Sequence, residues 1–193
     1  MIMMKEKLKL EKYFKDFNSL LKSETNQNFT KIIDVKKELI RTKQRRKKIL
    51  IFGNGGSSSI ASHFSVDLTK NAKIRCVNFN EHNLLTCFSN DYGFDKWIEK
   101  ALNFYGDKGD TIILISSSGK SKNMIRASIA AKKKSIKIIT LTGMDKNNPL
   151  KKSGNINLWV NSKAYNFIEN IHQIWLLSIV DSIIGKNIYS SNR

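Results

Sequence analysis

The chain is poor in the residues that punctuate a backbone or bind it by covalent chemistry. Its 193 residues include one proline, Pro149, and two cysteines, Cys76 and Cys87. The cysteines show no CxxC spacing, so they read as buried free thiols rather than as a redox or metal site. The lone proline is expected in a loop. With no linker and no internal repeat, the length gives one domain large enough to bury a core. No run approaches the roughly 18 apolar residues of a membrane span. The opening "MIMMKEKLKLEKYF" places charge at positions 5 and 7 and builds no apolar signal core. A cytoplasmic protein without a membrane partner is the expectation.

Acidic residues are also scarce, 16 against 34 Lys and Arg, for a net charge of +18. The cations are scattered, and only "KQRRKK" (43–48) and "AKKKSIK" (131–137) cluster. No aromatic residues interleave these runs as a base-stacking platform needs. Solvated helix faces and attraction of anionic substrates account for the charge, and no nucleic-acid partner is expected.

Two amphipathic helices are expected first, over 3–24 (Leu8, Leu10, Tyr13, Phe14, Phe17, Leu20, Leu21) and 29–43 (Ile32, Ile33, Val35, Leu39). They form an extension over 1–46 suited to oligomer contacts, ahead of an α/β domain over 47–193. In that domain short apolar strands alternate with helices: "KILIF" (48–52), "IRCVNF" (74–79), "DTIILIS" (110–116), "IKIITLTG" (136–143) and "INLWV" (156–160). The chain closes in a long apolar helix over 164–185. This rhythm predicts a five-stranded parallel sheet in flavodoxin-like order with helices on both faces.

The turn after the first strand, "GNGGSSS" (53–59), matches no nucleotide motif. Its third fingerprint position is Ser58 rather than glycine, "VNFN" offers no acid for a ribose, and there is no Walker lysine. No G-x-S-x-G elbow is present. No nucleotide cofactor is therefore expected. What remains is a helix N-terminus offering free N–H groups and a positive dipole end to an anion. Gly55 and Gly56 let the backbone approach, and serine hydroxyls add donors. The turn "SSSGKS" (116–121) repeats the design at the end of the third strand. Two such cradles at the carboxyl edge of one sheet suit a small phosphorylated, hydroxylated molecule such as a sugar phosphate.

On "GNGGSSSIASHF" (53–64), "SNDYGF" (89–94), "ISSSGKS" (115–121), "ITLTG" (139–143) and "IENIH" (168–172), the chain resembles the sugar isomerase (SIS) domain family, and in it the phosphoheptose isomerase branch. The likeness runs from about Lys48 to Asp181. It implies an aldose–ketose isomerase that converts sedoheptulose 7-phosphate to mannoheptose 7-phosphate for surface polysaccharide. It implies a homotetramer with sites at subunit interfaces and, in many members, a zinc ion. Ser57, Ser116, Ser118 and Ser121 would contact phosphate or sugar hydroxyls, with Ser117 in the same turn and Asn54 and Asp91 nearby. His63 and Asp67, four apart on one helix face, match a histidine and a glutamate that serve as metal ligand and as ligand or base.

The last helix departs from the family. Glu169 stands where glutamine is usual, Asn166 where aspartate is frequent, and Leu177 where the enzymes place a catalytic histidine. Glu169 could supply a replacement carboxylate, as base or by completing a His63–Asp67–Glu169 metal set. Taken alone these residues also admit plainer roles. His63 can be a hydrogen-bonded, partly buried histidine, Asp67 a surface residue beside Lys70, and Glu169 and His172 a mutual pair. A non-catalytic SIS protein is the alternative reading: one that binds sugar phosphate or acts as an adaptor, as in relatives linked to DNA replication.

Overall fold

The computed structural model describes residues 2–188. The first element, α1 (Ile2–Gln44), is one continuous helix of 43 residues, not the expected pair. The polar stretch at its middle is no break, because its side chains have work at the sheet edge. Asn28 Nδ2 donates to the carbonyls of Glu24 (2.9 Å) and Trp159 (3.1 Å), and the Glu24 carboxylate accepts from the Asn161 N–H at 3.1 Å. With no glycine or proline before Gly53, nothing else stops the helix.

The elements that follow are β1 (Ile49–Gly53), α2 (Gly56–Lys70), β2 (Cys76–Asn78), α3 (His82–Tyr92) and α4 (Trp97–Tyr105). Then come β3 (Thr111–Ser116), α5 (Lys122–Lys133), β4 (Lys137–Thr142), α6 (Pro149–Ser153), β5 (Ile156–Trp159) and α7 (Tyr165–Ile184). The sheet is five-stranded and wholly parallel in the order β2-β1-β3-β4-β5, the flavodoxin-like order. Pro149 does not lie in a loop. It opens α6, where its missing N–H costs nothing, behind Asn148, whose side chain accepts from the Lys151 N–H.

Side chains alternate across the strands, which divides the core in two. Ile49, Ile51, Ile113, Ile115, Ile139 and Leu141 face α1, α2 and α7, while Leu50, Phe52, Ile112, Leu114 and Ile138 face α4, α5 and α6. Burial on both faces explains why the strands read as unbroken apolar runs. Val35 and Leu39 of α1 belong to the first cluster, so this half of the helix is part of the domain's core. The amino-terminal half leaves Leu8, Leu10 and Phe14 exposed. Helix α7 is long and apolar enough to cross a membrane, but here Ile168, Ile171, Trp175, Leu176 and Ile179 are buried in the protein's own core. Cys76 is buried, as expected. Cys87 is exposed on α3, and its thiol is held above its ordinary pKa by a hydrogen bond to Asp91.

Candidate active site

Two strand-to-helix turns build the site at the carboxyl edge of the sheet. In the first, β1 ends at Gly53, where a Cβ would come within 2.2 Å of the Ser57 carbonyl. Gly55 has φ +54 and stands at the N-cap of α2, whose first N–H groups receive no side-chain cap. In the second, Gly119 has φ +63 and its N–H donates to the Ser116 carbonyl at 2.9 Å. Ser116 Oγ and Ser121 Oγ share a 3.1 Å hydrogen bond, and Ser118 Oγ accepts from the Lys120 N–H. Asn54 and Asn123 exchange amide hydrogen bonds of 3.1 and 2.9 Å, so the first turn is tied to the helix that follows the second.

Between the turns lies a pocket of about 140 Å³, lined by Asn54, Ser57, Ile115, Ser116, Ser117, Ser118, Ser121, Tyr165 and Glu169. The sequence-derived serines and Asn54 therefore meet in one place. Gly55 ends the turn and Gly56 opens α2 just ahead of Ser57, and neither is in the lining. Ser117 Oγ is buried without a hydrogen-bond partner, a donor left free beside the pocket. Tyr165 was missed by sequence reasoning. Its signal is its spacing: it precedes Glu169 by four residues on α7 and so shares its face.

Glu169 is aimed at the start of α2. A Cβ on Gly56 would lie 2.4 Å from its Oε2, and Ser57 Oγ donates to its Oε1 across a long 3.4 Å. It does not pair with His172, which is fully buried and donates its Nε2–H to the Thr142 carbonyl at 3.1 Å. Burial lowers the His172 pKa to about 4.

His63 and Asp67 do meet, Nε2 to Oδ2, at 3.3 Å, and Gln173 of α7 reaches His63 Nδ1 at 3.3 Å. This cluster lies apart from the pocket lining. His63 is six residues beyond Ser57, roughly 9 Å along the helix. Asp91 also lies outside the lining: exposed on α3, it accepts from Cys87 Sγ and Asn90 Nδ2. Lys70 is not in the ion pairing of Asp67.

The donor set does not fit zinc. Among the described residues no group of three or more His, Cys, Asp or Glu side chains is placed to hold a metal ion, whereas zinc takes three or four protein ligands. The expected His63–Asp67–Glu169 set fails because α2 and α7 run side by side in register. Glu169 falls opposite Ser57 and Gln173 opposite His63. Leu177, one turn further on the same face, brings no donor.

A parallel sheet with two anion-cradling turns at its carboxyl edge is the architecture of a phosphosugar site. The sequence profile of the SIS domain matches residues 12–143, and the chain belongs to that family. Within it, the chain is similar to phosphoheptose isomerases. That of Helicobacter pylori (strain Shi470) is 34% identical over 151 residues, 75% of this chain and 78% of that protein. The structure of the phosphoheptose isomerase from Neisseria gonorrhoeae aligns with a TM-score of 0.86 at 27% identity, covering 93% of this chain and 98% of that one. The one from Francisella tularensis gives 0.86 at 26% identity, covering 92% and 97%. The SIS profile spans both turns and α2 but stops before α7, so Glu169 and Leu177 lie outside it.

Proposed function

We propose that the chain is a cytoplasmic aldose–ketose isomerase that interconverts sedoheptulose 7-phosphate and D-glycero-mannoheptose 7-phosphate, for heptose-containing surface polysaccharide. The observation that carries this reading is the convergence of both serine turns on one pocket with a single carboxylate, Glu169, in its wall. The phosphate sits at the α5 turn, where Ser116, Ser118 and Ser121 donate hydroxyls and the helix dipole favours the anion. Asn54, Ser57 and Tyr165 hold the open-chain sugar by its hydroxyls.

The reaction moves one proton between neighbouring carbons. A base removes a proton from C1 as O2 gains one, leaving an enediol. Return of a proton to C2 and loss of the O1 proton give the aldose. Glu169 is the group lining the pocket that can take and return the carbon proton, and the hydroxyls beside it relay the oxygen protons. Assembly as a homotetramer would cover the exposed Leu8, Leu10 and Phe14 of α1.

Leu177 and the distance of His63 and Asp67 from the pocket favour a second reading, a SIS protein that binds sugar phosphate without turning it over. Incubation with sedoheptulose 7-phosphate in deuterated water, followed by NMR, separates the two. Aldose formation with deuterium at C2 is the expected result. Binding with neither product nor exchange leaves the non-catalytic reading.

A further inference from the structure

The start of α2 has the makings of a second anion seat. It is a helix N-terminus without a side-chain cap, with Gly55 at the N-cap, and it faces the same pocket as the α5 turn; the Ser57, Ser58 and Ser59 N–H groups turn back to the Asn54 and Gly55 carbonyls. Yet a carboxylate of the protein itself stands against it, held by the Ser57 hydroxyl at 3.4 Å. The Glu169 carboxylate stands so close to Gly56 that a methyl group there would overlap it. Among the described residues, Glu169 is the only charged one lining the pocket. No ion pair found among the described residues includes it.

We propose that Glu169 is a specificity-determining residue that restricts the pocket to monophosphorylated polyols. One anion is seated at the α5 turn, and the α2 side accepts only groups that donate hydrogen bonds. The proposal rests on the phosphosugar reading of the site and deepens it. A hydroxyl-bearing carbon chain entering beside Ser57 donates to the carboxylate, a charge-assisted hydrogen bond. A second phosphate, or the carboxylate of a sugar acid, meets a like charge in a half-buried cleft, where screening by water is reduced. An amide in the same place would supply a donor to such an anion instead of repelling it. The wall therefore discriminates by charge as well as by shape, with the repulsive element providing the selectivity.

The test is isothermal titration of the full-length protein and of Glu169→Gln with sedoheptulose 7-phosphate and with sedoheptulose 1,7-bisphosphate, which adds one phosphate at the far end. The wild-type protein is expected to prefer the monophosphate at least tenfold. In Glu169→Gln the preference should shrink below threefold or reverse, with an unchanged circular dichroism spectrum. Equal affinity of the wild-type protein for both compounds, or a preference that survives the substitution, overturns the selectivity and leaves the phosphosugar reading standing. Binding of neither compound by the wild-type protein overturns the phosphosugar reading and the selectivity together. A Gly56→Ala variant gives an independent check. Its added methyl group displaces the carboxylate without removing the charge, so the monophosphate should weaken while the bisphosphate gains nothing.

Discussion

Asn54 and Asn123 face each other across the carboxyl edge of the sheet and exchange two amide hydrogen bonds, 3.1 and 2.9 Å long. Asn123 is almost fully buried, and its Oδ1 also accepts from the Met124 N–H. The pair fixes the spacing between the two turns that line the pocket. Replacing Asn123 by alanine strands the Asn54 amide and should cost about 2–3 kcal/mol in chemical denaturation. Sugar-phosphate affinity should fall by about tenfold or more, since the pocket would be less preorganised. Loss of stability with unchanged affinity would show that the pair serves folding alone.

Gly119 makes the second turn. Its φ of +63 is open to glycine at little cost, and a Cβ there would lie 2.0 Å from Asn148 Oδ1. Asn148 cannot step aside, because its amide donates to Thr142 Oγ1 and the Asp145 carbonyl while its Oδ1 caps α6. Strain and overlap together predict that Gly119→Ala loses more than about 3 kcal/mol. Thermal unfolding measures the loss, and titration with sedoheptulose 7-phosphate should show no saturable binding in whatever fraction remains folded.

Much of this fold is legible in the chain because the three central strands, β1, β3 and β4, are buried on both faces. "ILIF" and "TIILIS" have no polar side to confuse them with surface helix, and each is followed at once by a glycine- and serine-rich turn. The pocket serines are legible for the same reason, since parallel topology brings the ends of β1 and β3 together. What local pattern could not supply was tertiary. The unbroken course of α1 depends on Glu24 and Asn28 reaching the end of β5. The aim of Glu169 at Gly56, and its separation from His63, depend on how α7 lies against α2, which no spacing along either helix reveals.

The same register predicts the response to metal. Residues 169, 173 and 177 share a face of α7, and the middle one, Gln173, meets His63. His63 and Asp67 form a pair too small to hold zinc tightly. Dialysis against EDTA should leave the melting temperature of the wild-type protein unchanged. A Leu177→His substitution adds a donor on the face toward the pair, and should tighten zinc binding at least tenfold by titration calorimetry. Tight zinc binding by the wild-type protein would show that the two helices close differently in solution.

Burial of His172 gives the protein an acid-sensitive core. The ring donates Nε2–H to the Thr142 carbonyl, so the neutral form is the one held, and its unpartnered Nδ1 has no acceptor for an added proton. Desolvation lowers the pKa to about 4, from the ordinary value of 6.5 that the unfolded chain regains. Above pH 6.5 neither state is protonated and stability is full. As pH falls below that value the unfolded state binds a proton that the native state refuses, so stability declines until about pH 4, below which both bind it and the decline ends. The gap corresponds to about 3 kcal/mol. Urea denaturation of wild type and His172→Gln from pH 7.5 to 4.5 isolates the contribution. Glutamine can still donate to Thr142 but does not titrate, so the variant should lose about 2.5 kcal/mol less than wild type over that range, which covers most of the gap. Parallel curves would mean that the imidazole takes up its proton in the folded state as readily as in water.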